Sequence, residues 1–312
     1  MIIRNFREKD ISEIFALYNK CMIADRVDYD FFMQYLLLSP NFSPEGLFVA
    51  EDGSRITGWT LGETVFREFD PWGDHVKKNS GRGFLMAPAT EDHTTGMKLI
   101  AAAENYLAAQ NCKQIRCAIP GYTLFPNGID EKNYPQLHQL LLDAGYEISE
   151  YSYSMERSLE NYSTPEKIRL TAEKLAAQGI IADTCRINDL PGLRHLLAES
   201  DLKNWMHLVL RKAEQKKLDE AVVLRNQEKL LGYCQYNYFG TPERIGPFGI
   251  APEIRGKGAG TVMIAKLLEI MSEKNFKHVW FASCSEGLID FYAGNGLQVF
   301  RKKSVFEKKY ND

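Results

Sequence analysis

Six consecutive residues, Arg255-Gly256-Lys257-Gly258-Ala259-Gly260, have the types and spacing to bind a phosphate or diphosphate group. Glycine lets the backbone approach an anion closely and adopt positive φ angles. The apolar periodicity of residues 260–274 predicts a helix directly after this segment. A helix start offers unpaired amide hydrogens and the positive end of the helix dipole, and Arg255 and Lys257 add charge. The segment therefore predicts an anion-binding loop between a strand and a helix.

Two common phosphate-binding motifs do not fit this loop. The Gly-x-x-x-x-Gly-Lys-[Ser/Thr] spacing of a P-loop is absent. Gly256, Gly258 and Gly260 give Gly-x-Gly-x-Gly rather than a dinucleotide fingerprint, and the loop does not open a parallel strand–helix–strand unit. Taken alone, the three glycines are equally consistent with an ordinary glycine-rich turn. The surrounding sequence has to decide between a turn and a binding loop.

The elements that would position the loop occur twice along the 312 residues. Each half reads as a strand, two helices, three strands, a helix, a strand, a helix and a strand, which is typical of a duplicated domain. We therefore predict an α/β (α+β) fold with two tandem domains, residues 1–158 and 181–312. A linker and bridging helix at 159–180 would join them. Each domain would have a mixed, mostly antiparallel sheet flanked by helices.

The composition argues against several classes of protein. Hydrophobic residues are 45% and charged residues 25%, as in ordinary globular proteins, and the formal net charge of -3 argues against a nucleic-acid partner. No apolar run approaches the ~20 residues of a membrane span, and the N-terminus does not resemble a secretory signal. The six cysteines are scattered without metal-ligand spacing. We expect a cytoplasmic protein with reduced thiols, no metal site and no membrane partner.

Two segments of the second half resemble motifs of the GCN5-related N-acetyltransferase (GNAT) superfamily. Arg255–Gly260, which follows Ile-Ala-Pro-Glu-Ile, is similar to its [Arg/Gln]-x-x-Gly-x-[Gly/Ala] motif. Phe291-Tyr-Ala-Gly-Asn-Gly-Leu297 is similar to its Phe-Tyr-x-x-x-Gly-Phe segment. The two lie about 30 residues apart, separated by a helix and a strand, as in the family. The resemblance covers roughly residues 182–309 and implies two tandem GNAT-like domains.

The resemblance implies an N-acetyltransferase that uses acetyl-CoA as cosubstrate and transfers acetyl to an amine by direct attack. The amides of residues 255–260 would hold the pyrophosphate. Phe248, Gly249 and Ile250 would pair with the pantetheine arm, and an amide there would polarise the thioester carbonyl. Tyr292 matches the family's usual general acid, a phenol whose pKa of about 10 lies near or above that of a thiol.

Two site positions differ from the family's pattern or have alternatives. The family often has asparagine seven residues before the tyrosine, and Ser285 takes this place as the implied cofactor contact. Glu286 is the nearest candidate for the general base, although Glu243 or a relay of water would also serve. The acceptor amine stays open among a small amine, an amino sugar, an antibiotic, a peptide N-terminus and a lysine side chain. The oligomeric state is equally open.

The first half keeps the order of elements but departs from both motifs. Aligning Ala87-Pro88 with Ala251-Pro252 sets Glu91–Gly96 against Arg255–Gly260, so that only the last glycine is kept and two acids stand where an anion would bind. Leu141 stands where Tyr292 does. We predict a degenerate GNAT-like domain without turnover, kept for packing or to wall the acceptor site. Two other functions stay open: a non-catalytic acyl-CoA sensor and a transferase of longer acyl groups.

Aromatic residues are numerous near the ends of the predicted strands. They would line an acceptor pocket between the domains, or they are ordinary sheet packing. They are Tyr122, Phe125, Tyr134, Tyr233, Tyr236, Tyr238 and Phe239.

Overall fold

The computed structural model describes residues 1–68, 75–118, 127–200 and 202–310. Within these ranges the chain folds into two compact units. Unit 1 takes its residues from 1–68, 75–152 and 301–310, and unit 2 takes its residues from 153–300. The chain therefore passes into unit 2 within one strand and returns to unit 1 within its last strand.

Unit 1 is a sheet flanked by helices. The strands are β1 (Ile2–Asn5), β2 (Leu47–Asp52), β3 (Arg55–Thr64), β4 (Arg82–Thr90), β5 (Gln114–Cys117) and the first part of β6 (Glu147–Ser158). The helices are α1 (Ile11–Cys21), α2 (Tyr29–Phe32), α3 (His75–Lys78), α4 (His93–Ala109) and α5 (Pro135–Asp143). Strands β1 to β4 pair antiparallel in sequence order, whereas β4 and β5 are parallel.

Unit 2 repeats this plan. Its strands are β7 (Ile181–Thr184), β8 (Ala221–Arg225), β9 (Leu230–Gln235), β10 (Phe248–Ile250) and β11 (His278–Cys284), and the last strand of the chain, β12 (Gln298–Lys309), starts here. Its helices are α6 (Glu166–Ala177), α7 (Leu190–Glu199), α8 (Met206–Glu214), α9 (Ala259–Glu273) and α10 (Ile289–Ala293). Strands β7 to β10 form a four-stranded antiparallel sheet, and β11 pairs antiparallel with β6. The predicted fold class, mixed and mostly antiparallel sheets flanked by helices, is confirmed.

The core of unit 2 lies between this sheet and helix α9. Met263, Leu267 and Met271 are fully buried at spacings of four residues, which places them along one face of the helix. This packing fixes the direction in which α9 points, and therefore where its first turn lies relative to β10.

The last strand of each half pairs outside its own half. β12 lies antiparallel to β5, with Glu307 opposite Arg116, whereas β6 lies antiparallel to β11, with Met155 opposite Phe281. The repeated pattern of elements predicted both strands but assigned each to its own half. Alternation of residue types indicates a strand but does not specify its long-range hydrogen-bond partner. The predicted boundaries, 1–158 and 181–312, stay a prediction about independently folding domains.

Arg301 holds the returning strand β12 in unit 1. Its guanidinium donates through Nε to Asp130 at 2.8 Å and through Nη1 and Nη2 to Asp25 at 2.7 and 2.8 Å. The hydroxyl of Tyr134 donates to the same Asp25 at 2.6 Å. These charge-assisted bonds are directional and half-buried, so that they specify the register of β12 as well as stabilise it. Tyr134 therefore has a structural role here.

The two units share one turn, before α1 in unit 1 and before α7 in unit 2, in which an aspartate binds an arginine. Asp10 accepts from the guanidinium of Arg4 at 2.6 and 2.9 Å and from the amide of Arg7 at 2.8 Å. Asp189 accepts from Arg225 at 2.9 and 3.1 Å and from the amide three residues before it. Asp10 directly precedes α1, where an aspartate commonly caps the first-turn amides, but its carboxylate faces Arg4 instead. The repeated turn is a structural sign of the duplication.

A single buried carboxyl on β3 has little hydrogen bonding. Glu63 is 2% exposed, and Ser39 Oγ donates to its Oε1 at a long 3.3 Å. Within the described part of the chain Oε2 has no hydrogen-bond partner. Burial raises the pKa of Glu63 to about 8, because the charged form loses its hydration. Glu63 is therefore neutral at pH 7.

Replacing Glu63 with glutamine should stabilise the protein increasingly as the pH rises from about 5 to 9. The pKa is about 8 in the folded protein and about 4.3 in an unfolded chain. Between these values the folded protein binds the extra proton, so wild-type stability falls with rising pH and the loss is complete above the folded pKa. The difference in the free energy of unfolding should approach roughly 3–5 kcal/mol at pH 9, measured by urea unfolding. The exposed Glu147→Gln serves as control, and a pH-independent effect of Glu63→Gln would contradict the prediction.

Candidate active site

The predicted anion-binding loop leads into helix α9. After a short 3-10 turn over Pro252–Ile254, Gly256 and Gly258 adopt φ angles of +75° and +81°, and Gly258 is the residue before the helix. Gly258 has no side chain to cap this helix start, and among the described residues no other side chain accepts from its amides. The first-turn amides therefore point outward without intrahelical partners. The loop has the backbone geometry of an anion-binding site.

Arg255 and the third glycine of the loop have roles other than the expected binding of an anion. Arg255 donates through Nε to the carbonyl of Ile250 at 3.1 Å, so that its side chain ties the loop back to β10. Gly260 is helical, and a Cβ there would lie 3.2 Å from ring atoms of both Phe248 and Phe291. Gly260 is therefore required for close packing, whereas Gly256 and Gly258 supply the positive φ angles. Lys257 is exposed.

Helix α6, the predicted bridging helix, borders the loop. A Cβ at Gly258 would lie 2.7 Å from the Cγ2 methyl of Thr171 on α6. The hydroxyl of Thr171 is turned to its own helix, where it donates to the carbonyl of Lys167 at 2.8 Å. The methyl group of Thr171 is therefore the part that faces the loop, and any side chain at position 258 would displace α6.

The segment before β10 bridges to β11. The amide of Ile245 donates to the carbonyl of Trp280 at 2.9 Å, and the amide of Trp280 donates to the carbonyl of Glu243 at 3.1 Å. Pro247 follows and has no amide hydrogen to donate. Beyond it β10 pairs with β9 and β11 pairs with β6, and among the described residues no ladder joins β10 to β11. We call this place, between Phe248–Ile250 and 281–284, the β10–β11 opening.

Backbone amides of β10 face the opening. The amide of Ala251 donates to the carbonyl of Leu231 on β9 at 2.8 Å. Backbone groups alternate in direction along an antiparallel strand, so Gly249 also faces β9, whereas the amides of Phe248 and Ile250 face away from it. These two amides can donate to an extended group that lies in the opening.

Sequence reasoning missed the residues that pack on β10 from the other face. A Cβ at Gly249 would lie 2.8 Å from Leu202 Cδ1 and 2.9 Å from Trp205 Cζ3. A glycine in the middle of a predicted strand is itself a signal of such close approach. The segment before α8 therefore packs on the middle of β10.

Tyr292 borders the opening from helix α10. Its ring centroid lies 4.5 Å from that of Phe281 on β11 and 6.3 Å from that of Phe248 on β10. The residue is 9% exposed, and burial raises the pKa of Tyr292 above its ordinary value, with a further contribution from the thiols of Cys284 and Cys234. The phenol is therefore protonated at neutral pH and is a hydrogen-bond donor.

Ser285 and Glu286 lie in the short turn between β11 and α10, and both are exposed. The hydroxyl of Tyr153 on β6 donates to Glu286 Oε1 at 3.4 Å. Glu243, the other acid considered, precedes the opening and uses its backbone carbonyl in the bridge to β11. The roles assigned to Ser285 and Glu286 stay predictions.

The corresponding helix of unit 1 has its N-terminus capped by a carboxylate. Asp92 precedes α4 and accepts from the amide of Thr95 at 2.6 Å. Hydrogen bonds with the side chain and then the backbone of Thr95 lower the pKa of its carboxyl. When α4 and α9 are aligned at their first residues, Asp92 corresponds to Gly258. The alignment of Gly96 with Gly260 made from the sequence is therefore wrong by two residues. The physical reason is loop length, since α4 begins five residues after Pro88 and α9 begins seven residues after Pro252.

Two further features distinguish unit 1 from unit 2. Strands β4 and β5 are hydrogen-bonded to each other over four residues, with Leu85 opposite Cys117. Leu141, which the alignment sets against Tyr292, is fully buried in α5. Unit 1 therefore has neither an uncapped helix start at α4 nor a tyrosine at this position.

The aromatic residues proposed for an acceptor pocket have mixed placements. Tyr122 and Phe125 lie outside the described residues. Tyr233 is buried and donates to Gln235 Oε1 at 2.5 Å, and Tyr236 is buried. β9 ends at Gln235, and Asn237, which lies between the two tyrosines, has a φ of +55°, outside the β region. Tyr236 and Tyr238 therefore do not share a strand face.

Comparison with protein families agrees with this geometry. Residues 190–297 match the model of the acetyltransferase (GNAT) family, and this range includes the loop at 255–260 and Tyr292. Unit 2 carries a GNAT domain. No curated protein matches the chain by sequence.

Solved GNAT structures share the fold of the whole chain at low identity. A GCN5-related glucosamine N-acetyltransferase region of a fungal multi-domain GH3 β-N-acetylglucosaminidase is 15% identical with a TM-score of 0.76, over 98% of this chain and 38% of that chain. A GCN5-related N-acetyltransferase from Sphaerobacter thermophilus is 14% identical with a TM-score of 0.67, over 99% and 95%. A tandem GNAT protein from the clavulanic acid biosynthesis pathway is 12% identical with a TM-score of 0.62, over 100% and 99%. The chain therefore has the tandem GNAT fold, and it spans 38% of the fungal protein.

The described ranges contain neither a membrane-spanning helix nor a cluster of metal ligands. No helix there combines the length and apolar character that a bilayer crossing requires. No cluster of histidine, cysteine and acidic side chains is arranged there to hold a metal ion.

Replacing Gly258 with alanine should destabilise the protein more than replacing Gly256 with alanine. Both positions have left-handed φ angles, which cost an alanine about 1–2 kcal/mol. Only a Cβ at Gly258 meets Thr171, and overpacking adds about 1–3 kcal/mol. Thr171→Ser removes the methyl group and should recover most of the additional loss in the double variant. The free energy of unfolding in urea is measured for the wild type, the three single variants and the double variant. Equal losses of stability at positions 256 and 258 would contradict the prediction.

Proposed function

We propose that unit 2 is an N-acetyltransferase in which an amine attacks the thioester of acetyl-CoA directly. One observation carries this proposal. Gly260, in the uncapped first turn of α9, packs against Phe248 and Phe291, and the ring of Tyr292 contacts Phe248 at the β10–β11 opening. The start of α9, which would bind the anion, and the ring of Tyr292 therefore pack against the same aromatic side chains. The GNAT match over residues 190–297 supports the same conclusion.

The loop and the opening fit acetyl-CoA as substrate. The amides of residues 256–260 would bind the pyrophosphate, because they have no cap and lie at the positive end of α9. Lys257 would add charge at the surface. The amides of Phe248 and Ile250 would pair with the extended pantetheine arm, as a strand edge pairs with an added strand.

The chain's groups would then act on the reacting atoms. An amide of β10 facing the opening would donate to the thioester oxygen and stabilise the charge that develops there. Tyr292 would donate a hydrogen bond to the leaving thiolate. Since burial raises the pKa of Tyr292, the phenol keeps its proton until a thiolate forms beside it. Glu286 or water would accept the proton of the attacking amine.

Replacing Tyr292 with phenylalanine should lower kcat about 10²- to 10⁴-fold, the usual contribution of a positioned general acid. The dissociation constant of CoA should change by less than about twofold, since the ring and its packing stay. Release of CoA against a panel of amines measures turnover, and calorimetry measures binding. Tyr146→Phe, a buried tyrosine of unit 1, is the matched control.

The other outcomes of this experiment identify the two alternatives. Tight CoA binding without turnover on any amine would show that the protein is an acyl-CoA sensor and not an enzyme. A longer thioester in mass spectra of the purified protein would identify a different acyl donor. An unchanged kcat in Tyr292→Phe would remove Tyr292 from the mechanism.

Calorimetry with CoA should give one binding site per chain, and Gly258→Asp should weaken it. This variant places a carboxylate where Asp92 caps α4. At ~5 Å and an effective dielectric constant of ~20, repulsion between this charge and a phosphate is roughly 3 kcal/mol, or about 100-fold in affinity. Gly258→Asn has nearly the same size and tests the steric part alone. Equal affinities of the two variants, or two sites in the wild type, would refute the assignment.

A further inference from the structure

The turn after α10 is fastened to the backbone of Tyr292. The amides of Asn295 and Leu297 both donate to the carbonyl of Tyr292, at 3.0 and 3.2 Å. The side-chain Nδ2 of Asn295 donates to the carbonyl of Phe291 at 2.9 Å. A helix of five residues has few internal hydrogen bonds, so its direction depends on this turn. Any shift of residues 294–297 is therefore transmitted to the Tyr292 ring.

Arg157 holds this turn from strand β6. Its Nη1 donates to the carbonyl of Asn295, and its guanidinium lies over the ring of Tyr162 at 4.7 Å from the centroid. A Cβ at Gly296 would lie 2.5 Å from the same Nη1. Gly296, with a φ of +79°, is therefore needed both for the turn and for the approach of the guanidinium.

We propose that Arg157 is a positioning residue for Tyr292. The inference rests on the proposed function, in which Tyr292 donates to the leaving thiolate. On β6, Arg157 is opposite Val279 and Met155 is opposite Phe281, the aromatic residue nearest to the Tyr292 ring. One strand thus supports β11 and clamps the helix that carries the phenol.

The chemistry of arginine suits this position. A guanidinium binds a backbone carbonyl through a charge-assisted hydrogen bond, and a positive charge after the C-terminus of a helix is favourable. Its stacking on Tyr162 fixes the plane of the donor. Lysine would keep the charge but lose the planar geometry, so that the two residues are not equivalent here.

Arg157→Gln should lower kcat about 10- to 100-fold, since a misplacement of about 1 Å costs on that order. The KM for acetyl-CoA should change less than about threefold. Arg157→Lys should recover part of the loss. Glu156→Gln is the matched control, because Glu156 is the neighbouring residue on β6 and pairs with His278 at 2.9 Å rather than with α10. Unchanged kcat in Arg157→Gln would overturn the proposal.

A double variant separates positioning from a general loss of structure. In the Tyr292→Phe background, Arg157→Gln should lower kcat no further, because its effect acts through the phenol. Its effect on thermal stability should be the same in both backgrounds. Losses of kcat that multiply would show that Arg157 acts elsewhere and would overturn the proposal.

Hydrogen exchange tests, independently of turnover, whether Arg157 clamps the turn at residues 294–297. The amides of Asn295 and Leu297 should exchange at least about tenfold faster in Arg157→Gln than in the wild type or in Glu156→Gln. Exchange at the wild-type rate would overturn the proposal even if the enzyme were active. Faster exchange in a protein that acetylates no amine would instead support the clamp and refute the proposed function.

Discussion

The end of pairing between β10 and β11 is the constraint on which the candidate site depends. After the bridge at Trp280, the pairing among the described residues joins β10 to β9 and β11 to β6. An unpaired strand edge is a liability unless something pairs with it. Here that edge carries the amides of Phe248 and Ile250 and is bordered by Tyr292. The opening thus lacks some hydrogen bonds between strands, and these unpaired amides can bind an extended group that lies there.

The duplication shows how one backbone plan supports two helix starts of opposite character. Asp92 caps α4 and fills the position of an anion, at a gain of about 1 kcal/mol typical of a capping carboxylate. Gly258 gives up that stabilisation and adds a backbone conformation that only glycine adopts at low cost. Binding sites commonly retain such local instability, because a ligand supplies the missing interactions. The two-residue difference in loop length between the units accompanies this change.

Much of the fold and part of the site could be predicted from local patterns. Spacing alone located the loop at 255–260 and the helix after it, whereas Tyr292 was singled out only through its resemblance to a GNAT motif. The clamp by Arg157, the contact of Thr171 with Gly258 and the pairing of β12 with β5 join residues that are far apart in sequence, and no periodicity encodes them. For the same reason the position of Asp10 before α1 is misleading, since its carboxylate binds Arg4 on a different element and does not cap the helix. Where a local rule and a tertiary ion pair compete for one carboxylate, the ion pair is the stronger.

The pairing of β6 gives the end of the first half a structural role beside the candidate site. Residues 153–158 come from the end of the first half, yet they belong to unit 2 and lie beside β11. Through this strand the first half supplies Tyr153 beside Glu286 and Arg157 beside the turn after α10. Residues 181–312 alone would therefore contain the loop and the phenol but lack the strand that supports both β11 and α10. The first half need not bind or react with anything to be required, because its last strand completes the structure around the site of the second.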